Sequence, residues 1–329
     1  MDLERFEPSL RPPWWARGPH AQTILGHLLP SPAAAPPWES LTLRLPDGDA
    51  LKVRLARGRT DTLVYLFHGL GGDADRDYMR RSAALAWRAG HSVMAVNHRG
   101  AGEGRGGARR PYHSGATTDA ATVIQAGRGF FPGHRHLAIG FSLSGNILLL
   151  LLGRDQHLAQ PDLVISVNPP VDLDHCSRLM ERGLNRIYDF RFVGLLRKHL
   201  QEQFEFGLLD APVRIPALAT LRDFDNLYTA PYGGFRDRED YYATCSAGPH
   251  LGAIQTPTVI LSCKDDPFAP GSDIEACRRS PAVHLHLEAR GGHMGYLDAG
   301  VPGRRWLDAA LQHYMDALLS LAGAEARLA

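Results

Sequence analysis

HLAIGFSLSGNILLLLLG, residues His136–Gly153, is the stretch whose reading decides the fold. It opens as an apolar run suited to a buried strand, turns on Gly140, presents Ser142, and continues into leucines suited to a buried helix. A serine on so sharp a strand-to-helix turn stands clear of the sheet, and the amides behind it face the place where an oxyanion would form. Ser142 is therefore the candidate nucleophile. The pattern departs from G-x-S-x-G at its last position, where Ser144 precedes Gly145 and Asn146. A hydroxymethyl group there is expected to cost clearance between helix and strand, and to carry strain if Ser144 takes a positive φ.

Working outward, short apolar runs alternate with helical patterns. TLVYLFHGLGG reads as an apolar strand ending in a glycine-rich turn, and HSVMAVNHRG, the opening of HLAIGFSLSGN, DLVISVNPP, TPTVILSCKDDPFAP and AVHLHLEARGGH each carry a further strand pattern, with helices expected over Tyr78–Arg88, Thr118–Phe130 and from Arg304 to Leu321. This alternation predicts an α/β fold with a mostly parallel sheet covered on both faces. Leu41 to Leu55 alternates around Pro46-Asp47-Gly48, which predicts an antiparallel hairpin at the sheet edge. Residues 1–40, rich in proline and tryptophan, read as an irregular arm on the domain surface. Residues 41–170 and 253–329 form the expected core, and 171–252, where the strand rhythm fails, an inserted helical cap. No internal repeat of usable period interrupts this plan.

Three glycine- or proline-marked turns follow strands and carry chemistry. In HGLGG, His68–Gly72, glycines let a backbone amide approach a substrate oxygen, so the Leu70 amide pairs with that of Leu143 as the expected oxyanion hole. The same glycines also suit a turn that merely packs well. CKDDPFAP offers Asp265 and Asp266, either of which also suits a solvated turn; Asp266 is the candidate to orient a histidine, with Asp265 left to cap the turn. GGHMGYL places His293 after the last strand and before the last helix, completing the order Ser, Asp, His, and makes it the candidate general base among sixteen histidines. His134 with His136, and His284 with His286, share strand faces but have no carboxylate or cysteine spacing that completes a zinc site. His98 and Arg99 read as structural.

Lys and Arg total 36 against 35 Asp and Glu, a balance that supplies no field to recruit nucleic acid or an anionic membrane. Cys176, Cys245, Cys263 and Cys277 lack C-x-x-C spacing and read as free thiols in a reducing compartment. No apolar run reaches the ~18 residues of a membrane span, and no secretory h-region precedes the arm. A cytoplasmic enzyme needing no metal or cofactor is expected. Neither a phosphate-binding loop nor a dinucleotide fingerprint is present.

PPWWARGPHAQTIL, FHGLGG, NHRGAGEG, GFSLSGN, FDNLYTAPYGGFRDREDYY, KDDPFAP and GGHMGYL, in that order, resemble the YheT-like branch of the α/β-hydrolase-fold esterases, a group that includes the mammalian ABHD1 and ABHD3 type proteins. Relatives usually read GFSLGGN, so Ser144 stands where they have glycine. The resemblance implies a nucleophile, acid and base at Ser142, Asp266 and His293. The expected function is a serine carboxylic-ester hydrolase acting through an acyl-enzyme on small esters with short or medium acyl chains, with Phe190, Phe192, Leu195, Leu196, Phe204 and Phe206 available to line an apolar pocket. Two other readings use the same residues: acyl transfer to an acceptor other than water, and ligand binding without turnover.

Overall fold

Strand β3 (Thr62–Phe67) shows how the core is divided. Leu63, Tyr65 and Phe67 enter one hydrophobic cluster while Val64 and Leu66 enter the other, the two-residue period of a strand buried on both faces. The computed structural model describes residues 3–31, 33–300 and 305–328. The chain runs α1 (Pro19–Leu28), β1 (Glu39–Arg44), β2 (Ala50–Ala56), β3, α2 (Asp77–Arg88), β4 (Ser92–Asn97), α3 (Thr117–Phe130), β5 (Arg135–Phe141), α4 (Leu143–Gly153) and β6 (Leu163–Val167). Helices α5 (Leu173–Met180), α6 (Arg186–Glu205), α7 (Leu221–Phe224), α8 (Ala230–Gly233) and α9 (Arg238–Cys245) then precede β7 (Thr258–Cys263), α10 (Gly271–Ala276), β8 (Val283–Glu288) and α11 (Trp306–Leu328).

The eight strands lie in the order β1-β2-β4-β3-β5-β6-β7-β8. Only β2 runs against its neighbours, pairing antiparallel with β1 and β4, while every other pair is parallel. Parallel pairs need crossovers, and the helices supply them on both faces: α3 and α4 pack on one side, α2 and α11 on the other. All eleven residues of α4 are buried, the fate of a helix apolar all round. Helix α3 comes close enough to the sheet that a Cβ on Gly127 would lie 2.0 Å from the Tyr65 hydroxyl.

Two expectations change. The arm is not wholly irregular, because Pro19 at the first helical position starts the ten-residue α1, with its pre-set φ suited to that place. It also does more than cover a surface, since Gln22 is completely buried. The last helix continues to Leu328 and is described from Trp306; the start expected at Arg304 lies outside the described residues, as do the other residues of 301–303 and positions 1, 2, 32 and 329.

The loop after β4 is anchored by charge. Arg99 reaches Asp47 at 2.7 Å, Asp49 at 2.6 Å and Asp119 at 2.7 Å, joining the hairpin turn to α3. Removing one member of a buried ionic cluster strands the rest. Arg99→Ala should therefore lower the unfolding free energy by about 3–5 kcal/mol, read from urea denaturation; a loss under about 1 kcal/mol, the scale of an exposed pair, would refute the anchoring role.

Candidate active site

Between β5 and α4 the backbone of Ser142 takes φ 52° and ψ −119°. A non-glycine residue in this region costs of order 1–3 kcal/mol and persists only where its surroundings over-determine it. Here the Ser142 amide donates to Val167 O at 2.8 Å, and the buried α4 holds the other side. Clearance comes from two glycines: a Cβ on Gly140 would lie 2.5 Å from Ser144 O, and one on Gly145 2.6 Å from Ser166 Oγ.

Ser144 is not the strained position. It lies within α4, outside the positive-φ set among the described residues, and its fully buried side chain points away from β6. Its hydroxyl donates to His68 O and sits 2.7 Å from His98 Nε2. The expected clearance cost is absent because Gly145, not residue 144, faces the neighbouring strand. The hydroxyl instead ties the elbow helix to the end of β3. His68 Nδ1 donates to Gly69 O, leaving Nε2 to accept from the His98 amide, so the ring is held neutral in one tautomer. Burial lowers both imidazoles, His98 to about 4.

That network leads into the HGLGG turn. The Gly69 amide donates to the Tyr78 hydroxyl, the Gly71 amide to the Tyr112 hydroxyl, and the Gly72 amide to Gly69 O. Among the described residues the Leu70 amide has no protein acceptor, and neither has the Leu143 amide at the first turn of α4. Both residues line the same cavity as Ser142.

Asp266 and His293 arrive from the ends of β7 and β8. Ser142 Oγ lies 2.9 Å from His293 Nε2, and His293 Nδ1 lies 2.7 Å from Asp266 Oδ2. Asp266 is fully provided with donors: Asn168 Nδ2 also reaches Oδ2 at 2.9 Å, and the Phe268 and Ala269 amides reach Oδ1 at 3.2 and 2.9 Å. The Phe268 ring packs 4.3 Å from the imidazole, centroid to centroid. Asp265 does not cap its own turn; it accepts from the Gly292 amide at 3.0 Å and so grips the histidine loop.

The arm supplies what sequence reasoning missed. Thr23 Oγ1 accepts from the His293 amide at 2.8 Å, while Gln22 Oε1 accepts from the Leu297 amide at 2.7 Å and Gln22 Nε2 donates to Leu297 O at 3.1 Å. Contact is backbone to backbone, since a Cβ on Gly295 would lie 2.2 Å from Gln22 O and one on Gly26 2.5 Å from Gly295 Cα. The spaced glycines and the proline-started GPHAQTILGHL run were the available signal. Asn168, with φ 46°, links Asp266 to the Tyr296 hydroxyl and had no such signal beyond its place after β6.

Two cavities meet at Ser142. The narrower, about 100 Å³, runs beneath α5, α6 and α9 and includes Leu143, Leu173, Met180, Phe192, Leu196 and Phe268. The wider, about 500 Å³, lies between α1, the turn after β3 and α6, and takes in Ile24, Arg76, Tyr188, Leu195 and His293. Phe192, Leu195 and Leu196 thus face these spaces; Phe190, Phe204 and Phe206 point outward and are exposed.

With this geometry in place, the model of the alpha/beta hydrolase fold family matches residues 62–300. The chain belongs to that family. Within it, YheT of Escherichia coli (strain K12), which carries the name of an esterase, is 30% identical over 310 residues, 91% of each chain. The phospholipase ABHD3 of Mus musculus is 25% identical over 79% of this chain and 64% of its own length. The monoacylglycerol lipase of Saccharomyces cerevisiae is 26% identical over 74% of this chain and 56% of its own. An esterase of Pyrococcus furiosus shares the fold at a TM-score of 0.55 and 12% identity, covering 88% of this chain and all of that one. This α/β hydrolase is a YheT-like enzyme of the esterase and lipase type. No described helix is long and apolar enough to cross a membrane.

Ser144 in this α/β hydrolase gives a test whose sign is decisive. If residue 144 were strained, Ser144→Gly would stabilise; with the hydroxyl bonded as described, Ser144→Ala should cost about 1–3 kcal/mol and Ser144→Gly about 1 kcal/mol more for a helix interior. Thermal and urea unfolding of the two variants decide between them.

Proposed function

We propose that this chain is a serine carboxylic-ester hydrolase that works through an acyl-enzyme. The observation that carries the reading is the unbroken line from Ser142 Oγ through His293 to a carboxylate already saturated with donors. Asp266 fixes the tautomer with the proton on Nδ1, leaving Nε2 free to accept the serine proton. Ser142 Oγ attacks the ester carbon as His293 takes that proton, and the carbonyl oxygen becomes an oxyanion facing the Leu70 and Leu143 amides. Collapse breaks the carbon–oxygen bond, and the alcohol leaves with the proton from His293. Water then attacks the acyl-enzyme, giving its proton to His293, which returns one to Ser142 as the carboxylic acid departs.

The preferred substrates are esters with short or medium acyl chains. The narrow cavity of about 100 Å³ and its apolar walls support this, and it is assigned to the acyl group. The wider cleft then takes the alcohol. Residues 171–252 act as a cap, supported by α5 and α6 placing their apolar side chains over Ser142. The lipid esters named for the mouse and yeast relatives fit an apolar acyl group.

A fluorophosphonate probe should label the wild-type protein, and Ser142→Ala should abolish labelling while lowering kcat on a butanoate ester by on the order of 10⁴-fold or more. Asp266→Asn should keep the serine but lower kcat by on the order of 10³–10⁴-fold. Labelling that survives in Ser142→Ala would assign the nucleophile elsewhere.

A further inference from the structure

The narrow cavity contains a charge that an alkyl chain does not need. Asp225 lines it together with Ser142, is only 7% exposed, and opens a π-helical turn, Asp225–Thr229, set between α7 and α8. Such single π turns accumulate at functional sites. The Tyr242 hydroxyl donates to Asp225 Oδ2 at 2.7 Å, and the Thr229 hydroxyl lies close to the same carboxylate. Among the described residues no cation forms an ion pair with it. The guanidiniums whose charge it feels are committed elsewhere, Arg222 to Asp174 at 2.8 Å and Ser177 at 2.7 Å, and Arg238 to Glu239.

Burying a carboxylate against hydroxyls alone is costly, and burial pushes the Asp225 carboxyl up to about 6. A packing role would be served more cheaply by a neutral side chain. The wall around it is also polar: His113, Ser114, Ser177, Tyr241 and Tyr242 line the same cavity. This contrasts with the leucines, Met180 and Phe192 elsewhere on its lining.

We propose that Asp225 recognises the substrate, accepting a hydrogen bond from a hydroxyl group carried on the acyl chain, so that the preferred acyl group is a hydroxyalkanoyl group and not a plain alkanoyl one. This rests on the narrow cavity being the acyl site. A neutral donor fits better than an ammonium group, because an ammonium ion would have to shed its water to enter the cavity, whereas a hydroxyl loses far less. A second carboxylate is excluded by like charge.

The test uses the full chain and ethyl esters of hexanoic and octanoic acids, each plain, hydroxylated at carbon 3 or at the terminal carbon, or bearing a terminal amine, with released acid measured by chromatography. At least one hydroxylated ester should exceed its plain counterpart in kcat/KM by roughly ten- to a hundredfold, the range of a hydrogen bond to a buried charge. Asp225→Asn should compress that ratio to within about threefold, while its labelling rate with a small fluorophosphonate and its melting temperature show that the serine and the fold are intact. Asp225→Ser provides a second variant, smaller and uncharged, should the amide fail to fold.

Equal rates for plain and hydroxylated esters at every position would overturn the proposal and leave the hydrolase reading standing. A hydroxyl preference that survives both variants would overturn it as well, as would preference for the amine. If no ester is cleaved and no probe reacts with Ser142, the hydrolase reading fails and takes this inference with it.

Discussion

The backbone of Ser142 is held where an L residue does not rest unaided, and most of the core is arranged to hold it there. A φ of 52° on a β-carbon-bearing residue costs free energy that only a rigid frame can offset. The frame is the central strand β5, flanked by parallel neighbours, and a wholly buried α4 that cannot rotate without tearing its leucines from the cluster around them. Gly140 and Gly145 give the turn room, and the Ser144 hydroxyl fastens it to β3. The same bond that braces the elbow therefore also sets the strand end from which the Leu70 amide projects.

The opposite problem arises at the histidine. His293 follows the last strand, β8, which lies at the sheet edge with one neighbour, and its loop contains Met294 and Tyr296 at positive φ. Within the loop the Tyr296 amide donates to Gly291 O at 3.0 Å, and the other anchors come from elsewhere. The loop is fixed from outside, by Asp265 on one side and by Gln22 and Thr23 of α1 on the other. Cys263 adds a bond to Gly292 O, and its burial pushes the thiol up and keeps it a neutral donor. A segment near the start of the chain thus sets the position of a ring 270 residues away, which gives Gln22 a mechanical reason to be buried.

The strands were legible because a parallel sheet covered on both faces demands unbroken apolar runs, and β3, β4, β6 and β7 are buried at every residue. The positions of Ser142, Asp266 and His293 were legible because each sits at a turn marked by glycine or proline where a strand ends. Less was legible where burial depends on distant partners. Proline and tryptophan made the arm look irregular, although Pro19 begins a helix. Ser144 looked like the strained residue because a missing glycine draws attention to itself, while the positive φ belongs to the serine that every such motif keeps. In the segment 171–252 aromatic content alone did not separate Phe192, which lines the cavities, from Phe190, which is 75% exposed two residues earlier.

Two buried aspartates show how environment divides one chemistry into two. Asp266 receives four donors, two on each oxygen, so its charge is spent on the groups that hold it and on His293. A carboxylate so saturated has little capacity for a further partner, and its rigidity is what makes it suited to orient a ring. Asp225 accepts from the Tyr242 hydroxyl, and burial has already moved its carboxyl towards the neutral form. Its remaining acceptor capacity is available to whatever donor enters the cavity it lines. Where the surroundings supply every hydrogen bond the group is held fixed; where they fall short beside a cavity, the deficit itself specifies what a missing donor would have to be.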